Sequence, residues 1–146
     1  MKNLFLITLF AIMPVISHQE QLTEVQEVSF DLSQQINCMA KNIYYEAANE
    51  PYEGKLAVAQ VTMNRTKNPM FPKTVCEVVY QKTGNTYQFS WVGEKVKGIT
   101  NKYAWEECVI VARKALTEHK LHDIIYKTKS MYYHNTTVNP GWNLKY

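Results

Sequence analysis

Mainly α with a small β element is the fold class this sequence predicts, and three observations predict it. Apolar or small residues recur at helical steps over three stretches: Ile36, Ala40, Ile43 and Ala47; Gly54, Ala57, Val58 and Val61; and Ala104, Cys108, Val111 and Ala115. Only one short run, residues 87–92, has the aromatic and β-branched content of a strand. No repeat, low-complexity tract or internal linker divides the 146 residues, so a single domain is expected.

Taken in order, residues 1–17 read as a secretory signal. Lys2 supplies the positive start, an apolar run extends from Leu4 to Ile16, and Val15 and Ser17 suit cleavage before His18. The run falls short of the roughly 20 apolar residues a membrane helix needs. Cleavage and export to the periplasm or cell wall are therefore expected, with an uncleaved anchor as the alternative. Residues 18–30 lack firm periodicity and predict a mobile lead-in, which leaves 31–146 as the folded domain.

The first helix is expected from Asp31, capped by Asp31 or Ser33, because a short side-chain oxygen satisfies the free amides of a first turn. Glu46 then falls in its last turns, near a bend. Pro51 suits the first turn of a second helix over 51–66, where its missing N–H costs nothing. In that helix, Gly54 and Ala57 would permit close approach of a neighbour. Asn68-Pro69 and Phe71-Pro72 interrupt the pattern, and a short helix is expected over 74–81. Gly84-Asn85 begins a turn, the strand follows at 87–92, and Gly93 and Gly98 end it or shape a hairpin. A final helix is expected over 102–119.

Composition excludes some partners. Sixteen Lys and Arg face 13 Asp and Glu, and loss of the leader removes only Lys2, lowering the net charge from +3 to +2 over 129 residues. That balance suits an anionic envelope polymer, but it forms no clustered basic stripe of the kind that binds nucleic acid. Three cysteines, Cys38, Cys76 and Cys108, allow at most one internal disulfide. The absence of a Cys-x-x-Cys pair argues against a cysteine metal site, and no cofactor motif is legible. A cysteine nucleophile working with His134 is conceivable, although a buried structural cysteine is the commoner use.

The motifs lie in a fixed order. Asn42-Ile43-Tyr44-Tyr45-Glu46-Ala47 is followed by Glu50-Pro51, Asn64-Arg65 and Phe71-Pro72-Lys73-Thr74-Val75-Cys76. Then come Gln88-Phe89-Ser90-Trp91, Tyr132-Tyr133-His134, Pro140 and Trp142. This order resembles the SleB-type cell wall hydrolases, the catalytic domain of spore-cortex lytic enzymes and of related bacterial and phage lysins. The resemblance covers almost everything after residue 35. It implies a lysozyme-like or lytic-transglycosylase-like single domain, peptidoglycan glycan strands as the partner, and Glu46 as the catalytic carboxylate among 13 acidic residues. The family pattern often carries a cysteine just before its Gln-Phe-Ser-Trp block; Tyr87 stands there, so a bridge using that position is absent.

The chemistry agrees with that choice. Cleaving a glycosidic bond needs a proton on the leaving oxygen, and a carboxyl keeps its proton near neutral pH when burial disfavours the charged form. Tyr44 and Tyr45 immediately precede Glu46 and would supply such surroundings. A two-carboxylate hydrolase needs a second acidic group across the sugar. Glu50, four residues on, could share one helical side with Glu46, a poor placement for that, and Glu53 is an alternative beyond the bend; neither is assigned as nucleophile. The resemblance points to a lytic transglycosylase in which one Glu acts as acid and then base while the 6-hydroxyl of muramic acid attacks.

Glu50 is then a substrate-positioning residue, with capping or a surface ion pair as its alternatives. Tyr45, Gln88, Ser90, Trp91 and His134 offer the aromatic faces, amides and hydroxyls that sugars require. Phe89 and Trp91 serve core packing at least as well as sugar contact, and Asn42 and Asn64-Arg65, which also match family positions, are explained equally well by a buried amide and a structural ion pair. His119 and His122 are expected to be exposed near a helix end. The rival enzymatic reading is an N-acetylmuramoyl-L-alanine amidase, which usually needs zinc; four histidines give it thin support. A non-catalytic glycan-binding envelope domain is the rival of another class, and in it Glu46 would be dispensable.

Overall fold

The computed structural model describes residues 17–118 and 130–132. Among them are four α-helices: α1 (His18–Ala47), α2 (Tyr52–Lys67), α3 (Val75–Val79) and α4 (Lys102–Thr117). Two short strands, β1 (Lys82–Thr83) and β2 (Thr86–Tyr87), pair antiparallel, and a 3-10 turn occupies Ser90–Val92. The described chain is thus a mainly helical single domain with a small two-stranded sheet. None of its helices is long and apolar enough to cross a membrane.

Helix α1 starts thirteen residues earlier than its apolar spacing predicts. Ser17 caps it: its Oγ accepts the Glu20 N–H at 3.3 Å, and the Glu20 carboxylate accepts the Ser17 N–H at 3.0 Å, a reciprocal capping box. Asp31 and Ser33, the expected caps, lie inside the helix. The physical reason is that residues 19–30 are helical yet exposed. Leu22, Val25, Val28 and Phe30 are exposed, so nothing selects a single apolar face there. Residues 1–16 of the expected leader lie outside the described residues.

Burial begins at Ile36, and from there Met39, Ala40, Ile43 and Ala47 line the core. Helix α1 packs on α2, α3 and α4, while α2 also touches α3 and α4. Being contacted from several sides, α2 buries polar as well as apolar residues, including Lys55, Thr62, Asn64 and Arg65. Its first turn also corrects the sequence reading. Pro51 is the N-cap rather than a helical residue, and Gly54 makes room for a side chain rather than for a helix: a Cβ at Gly54 would come within 2.7 Å of the Glu50 Cβ.

Cys38 of α1 is bonded to Cys76 of α3, and the remaining thiol, Cys108 of α4, is buried. A second capping box, Thr74 with Glu77, starts α3. Of the strand expected at 87–92 only Tyr87 is extended, as the end of β2, while Ser90–Val92 form the 3-10 turn and the hairpin lies earlier in the chain. Gly84, at φ 61°, makes the tight hairpin turn, which places Lys82 opposite Tyr87 and Thr83 opposite Thr86. One more bond, from the Gln88 N–H to the Gln81 carbonyl at 3.1 Å, extends the pairing before the chain coils into the 3-10 turn. The partner strand has run out by then, and coiling carries Phe89 and Trp91 into the core. Gly93 closes this turn, with the Tyr87 ring 2.9 Å from where its Cβ would stand.

Candidate functional site

The last turns of α1 organise the site. Asn42 is fully buried; its Oδ1 accepts the Trp91 indole N–H at 3.0 Å and its amide donates to Thr62 Oγ1 at 3.1 Å. Thr62 in turn donates to the Val58 carbonyl at 2.9 Å. This chain joins α1, α2 and the 3-10 turn through side chains alone. Two residues later, the Tyr44 hydroxyl accepts the Thr100 and Asn101 N–H groups at 3.2 and 3.1 Å, and the Tyr45 hydroxyl donates to the Lys97 carbonyl at 3.2 Å. The irregular stretch before α4 is thereby fastened to α1.

Of the expected site residues, Tyr45 and Trp91 meet directly: their rings stack with centroids 4.6 Å apart and planes 26° from parallel. Tyr80 presents an edge to Trp91 at 5.9 Å. Glu46 follows Tyr45 in the last turn of α1 and is half-buried. In the Gln88-Phe89-Ser90-Trp91 block the aromatic residues go inward and the polar ones outward. Phe89 and Trp91 are buried, Ser90 is exposed, and Gln88 is half-buried with its amide 3.5 Å from Thr83 Oγ1.

Glu50 stands in the bend between α1 and α2, its side chain against Gly54. His134 lies outside the described residues, as do His119 and His122. The chain leading to His134 is nevertheless anchored: Asn64 donates to the Ser130 carbonyl at 2.8 Å and Arg65 Nε to the Met131 carbonyl at 3.1 Å. The Arg65 guanidinium lies 5.4, 5.1 and 5.5 Å from the ring centroids of Phe71, Phe89 and Tyr132. The Asn64-Arg65 block therefore clamps a distant segment and gathers three aromatic rings around one cation.

Electrostatics follow these contacts. The Asn101 backbone N–H, with that of Thr100, favours the ionised Tyr44 phenol and holds its pKa below the ordinary value. Burial, with a smaller effect of Tyr45, moves Tyr80 the other way. Burial also pushes the Cys108 thiol up to about 11, which opposes the thiolate that a cysteine nucleophile would require. Among the described residues no group of three or more His, Cys, Asp or Glu could hold a metal ion.

Sequence reasoning missed Lys55, which is 5% exposed and donates to the Glu50 carbonyl at 2.6 Å while pairing with Glu107 at 3.2 Å. A signal was present: Lys55, Val58, Ala59 and Thr62 fall at steps of three, one and three residues, the inward side of a helix.

The family model for Cell Wall Hydrolase matches residues 49–146, beginning three residues after Glu46. A spore cortex-lytic enzyme of Oceanobacillus iheyensis is 32% identical over 108 residues, covering 73% of this chain and 35% of that protein. The spore cortex-lytic enzyme of Bacillus subtilis is 44% identical over 46 residues, 32% of this chain and 15% of that protein. That of Halalkalibacterium halodurans is 46% identical over 46 residues. The chain thus spans about a third, or less, of the length of these relatives. No solved structure matches it. With a match extending over more than half its length, the chain belongs to the cell wall hydrolase family.

Proposed function

We propose that this protein cleaves the bond between N-acetylmuramic acid and N-acetylglucosamine in peptidoglycan, as a lytic transglycosylase with Glu46 as its single catalytic carboxylate. The observation that carries the reading is the placement of Glu46: half-buried in the last turn of α1, directly after the Tyr45 ring that stacks on Trp91. In this reading the Glu46 carboxyl donates its proton to the glycosidic oxygen, and the bond from that oxygen to the muramic C1 breaks. The resulting carboxylate takes the proton of the muramic 6-hydroxyl, whose oxygen bonds to C1 and closes a 1,6-anhydro ring. No water is consumed, and Glu46 ends protonated as it began.

Tyr45 and Trp91 form the aromatic surface beside the sugar, with Trp91 acting chiefly through Tyr45 because its own ring is buried. Gln88 and Ser90 offer an amide and a hydroxyl, Glu50 positions the strand beyond the bend, and His134 joins the groove wall. A lysozyme-like arrangement and export, with processing near His18, belong to the same reading. N-terminal sequencing of protein recovered from the envelope checks the export step; an intact Met1 on a soluble protein would contradict cleavage.

The deciding experiment is mass spectrometry of digested peptidoglycan. Anhydromuramyl products support the transglycosylase, reducing ends indicate a hydrolase, and freed peptides indicate an amidase. Glu46→Gln is expected to abolish lysis while preserving the fold, since Gln keeps the shape but has no proton to transfer. Undiminished lysis by a folded Glu46→Gln protein would refute the assignment, whereas glycan binding without lysis by the wild-type protein would make a glycan-binding role the better account.

A further inference from the structure

A cleft of about 690 Å³ opens between the α1–α2 bend and the first turns of α4. It takes no wall from Tyr45, Gln88 or Trp91. Asn49, Glu50 and Tyr52 line it from the bend, and Asn101, Tyr103 and Glu107 line it from α4. Lys55 also lines it, with its ammonium fixed between the Glu50 carbonyl and the Glu107 carboxylate.

Four features identify what such a cleft can take. Tyr103 is 83% exposed and Tyr52 41%, so two aromatic faces stand at its walls with little packing of their own. The Glu107 side chain remains 66% exposed despite its pairing with Lys55, and a carboxylate has about four acceptor positions, more than one ion pair uses. The Asn101 side chain is held in place by accepting the Ala104 N–H at 3.1 Å. Finally, two carboxylates against one ammonium give the lining a net negative charge, which disfavours an anion and suits a neutral ring rich in hydroxyl donors.

Position ties the cleft to the glycan. Ala48, Asn49 and Glu50 follow Glu46 by two to four residues, so this wall begins within about 14 Å of Glu46 even for a fully extended chain. We infer that the cleft is an outer saccharide subsite, taking an uncharged N-acetylated amino-sugar ring of the same strand on which Glu46 acts. The Tyr103 and Tyr52 rings meet the apolar faces of that sugar, and Glu107 accepts from its hydroxyls. The inference rests on the reading of Glu46 as the catalytic carboxylate.

The test uses the full chain carrying Glu46→Gln, with the N-acetylglucosamine hexamer as probe and backbone amide NMR shifts as readout. Shifts are expected both around Tyr45 and Trp91 and at Tyr103, Glu107 and Ile110. Tyr103→Ala, which alters an exposed side chain, should weaken hexamer binding about two- to ten-fold, and Glu107→Gln should weaken it as well. In the otherwise wild-type enzyme, Tyr103→Ala should raise KM for peptidoglycan. Shifts confined to the Tyr45 and Trp91 region would overturn the subsite and leave the catalytic reading standing. Shifts at Tyr103 from an amine-bearing stem peptide, with none there from the hexamer, would overturn the sugar assignment. No shift on either surface would overturn both the subsite and the reading beneath it.

Discussion

Replacing Asn42 by Ala tests how the helices are joined beneath the site. The Asn42 side chain is fully buried and bridges Trp91 and Thr62 at 3.0 and 3.1 Å. An indole N–H can only donate, so the oxygen of the amide must face Trp91 and its nitrogen Thr62. Truncation leaves the Trp91 N–H buried without an acceptor, a loss of about 1–3 kcal/mol, and removes a second hydrogen bond worth about 1 kcal/mol. Thr62 is little affected, since it still donates to the Val58 carbonyl. The expected destabilisation is about 2–4 kcal/mol by urea unfolding followed by circular dichroism. A double-mutant cycle isolates the cause. Trp91→Phe removes the orphaned donor, so the double variant should be more stable than the sum of the singles predicts, with a coupling of about 1–2 kcal/mol. A loss below about 0.5 kcal/mol for Asn42→Ala, or additivity within that margin, would refute the bridge. Because Trp91 supports the Tyr45 ring, the single variant should also lose lytic activity under conditions where it remains folded.

Reducing the Cys38–Cys76 disulfide, which closes a separation of 38 residues, should lower stability by about 4 kcal/mol on loop entropy; unchanged unfolding in reductant would contradict this. Cys108 has its folded thiol pKa raised to about 11, above the ordinary 9.0, so the folded state holds that proton more tightly than the unfolded state. Stability should therefore fall as pH rises from about 9 to 11, and the fall should be shallower in Cys108→Ala; equal slopes would show that another group is responsible. Chelator treatment should leave lysis unchanged under the single-Glu mechanism, whereas loss with recovery on zinc would favour the amidase.

The legible part of the site was its order along the chain. Tyr45, Glu46 and the Gln88-Phe89-Ser90-Trp91 block stand out as residue types in a pattern, and the structure joins two of them, Tyr45 and Trp91, in a stack. The alternation in that block was also readable as an open choice between packing and binding, and burial separated Phe89 and Trp91 from Gln88 and Ser90. What the pattern could not convey was the identity of partners across the fold. Asn64 and Arg65 look like an amide and an ion-pairing cation, and nothing in that look tells that they grip the backbone at Ser130 and Met131, more than sixty residues away.

By itself, then, the sequence determined what depends on near neighbours: the helical class, the spacing of the inward residues in α1 and α4, the breaks at Pro51 and Gly84, and membership of the family. It missed the early start of α1 because an exposed helix leaves no apolar signature, although Ser17 and Glu20 carry the capping chemistry that sets it. Tertiary structure alone decided which cysteines bond, since only folding brings the Cα atoms of Cys38 and Cys76 to 5.2 Å. It alone decided that Lys55 is tolerated in the interior, because the carbonyl and carboxylate that compensate its charge come from the α1–α2 bend and α4. Backbone preference acts over a few residues, whereas a buried polar group is stable only where a chemically matched partner arrives from elsewhere in the chain.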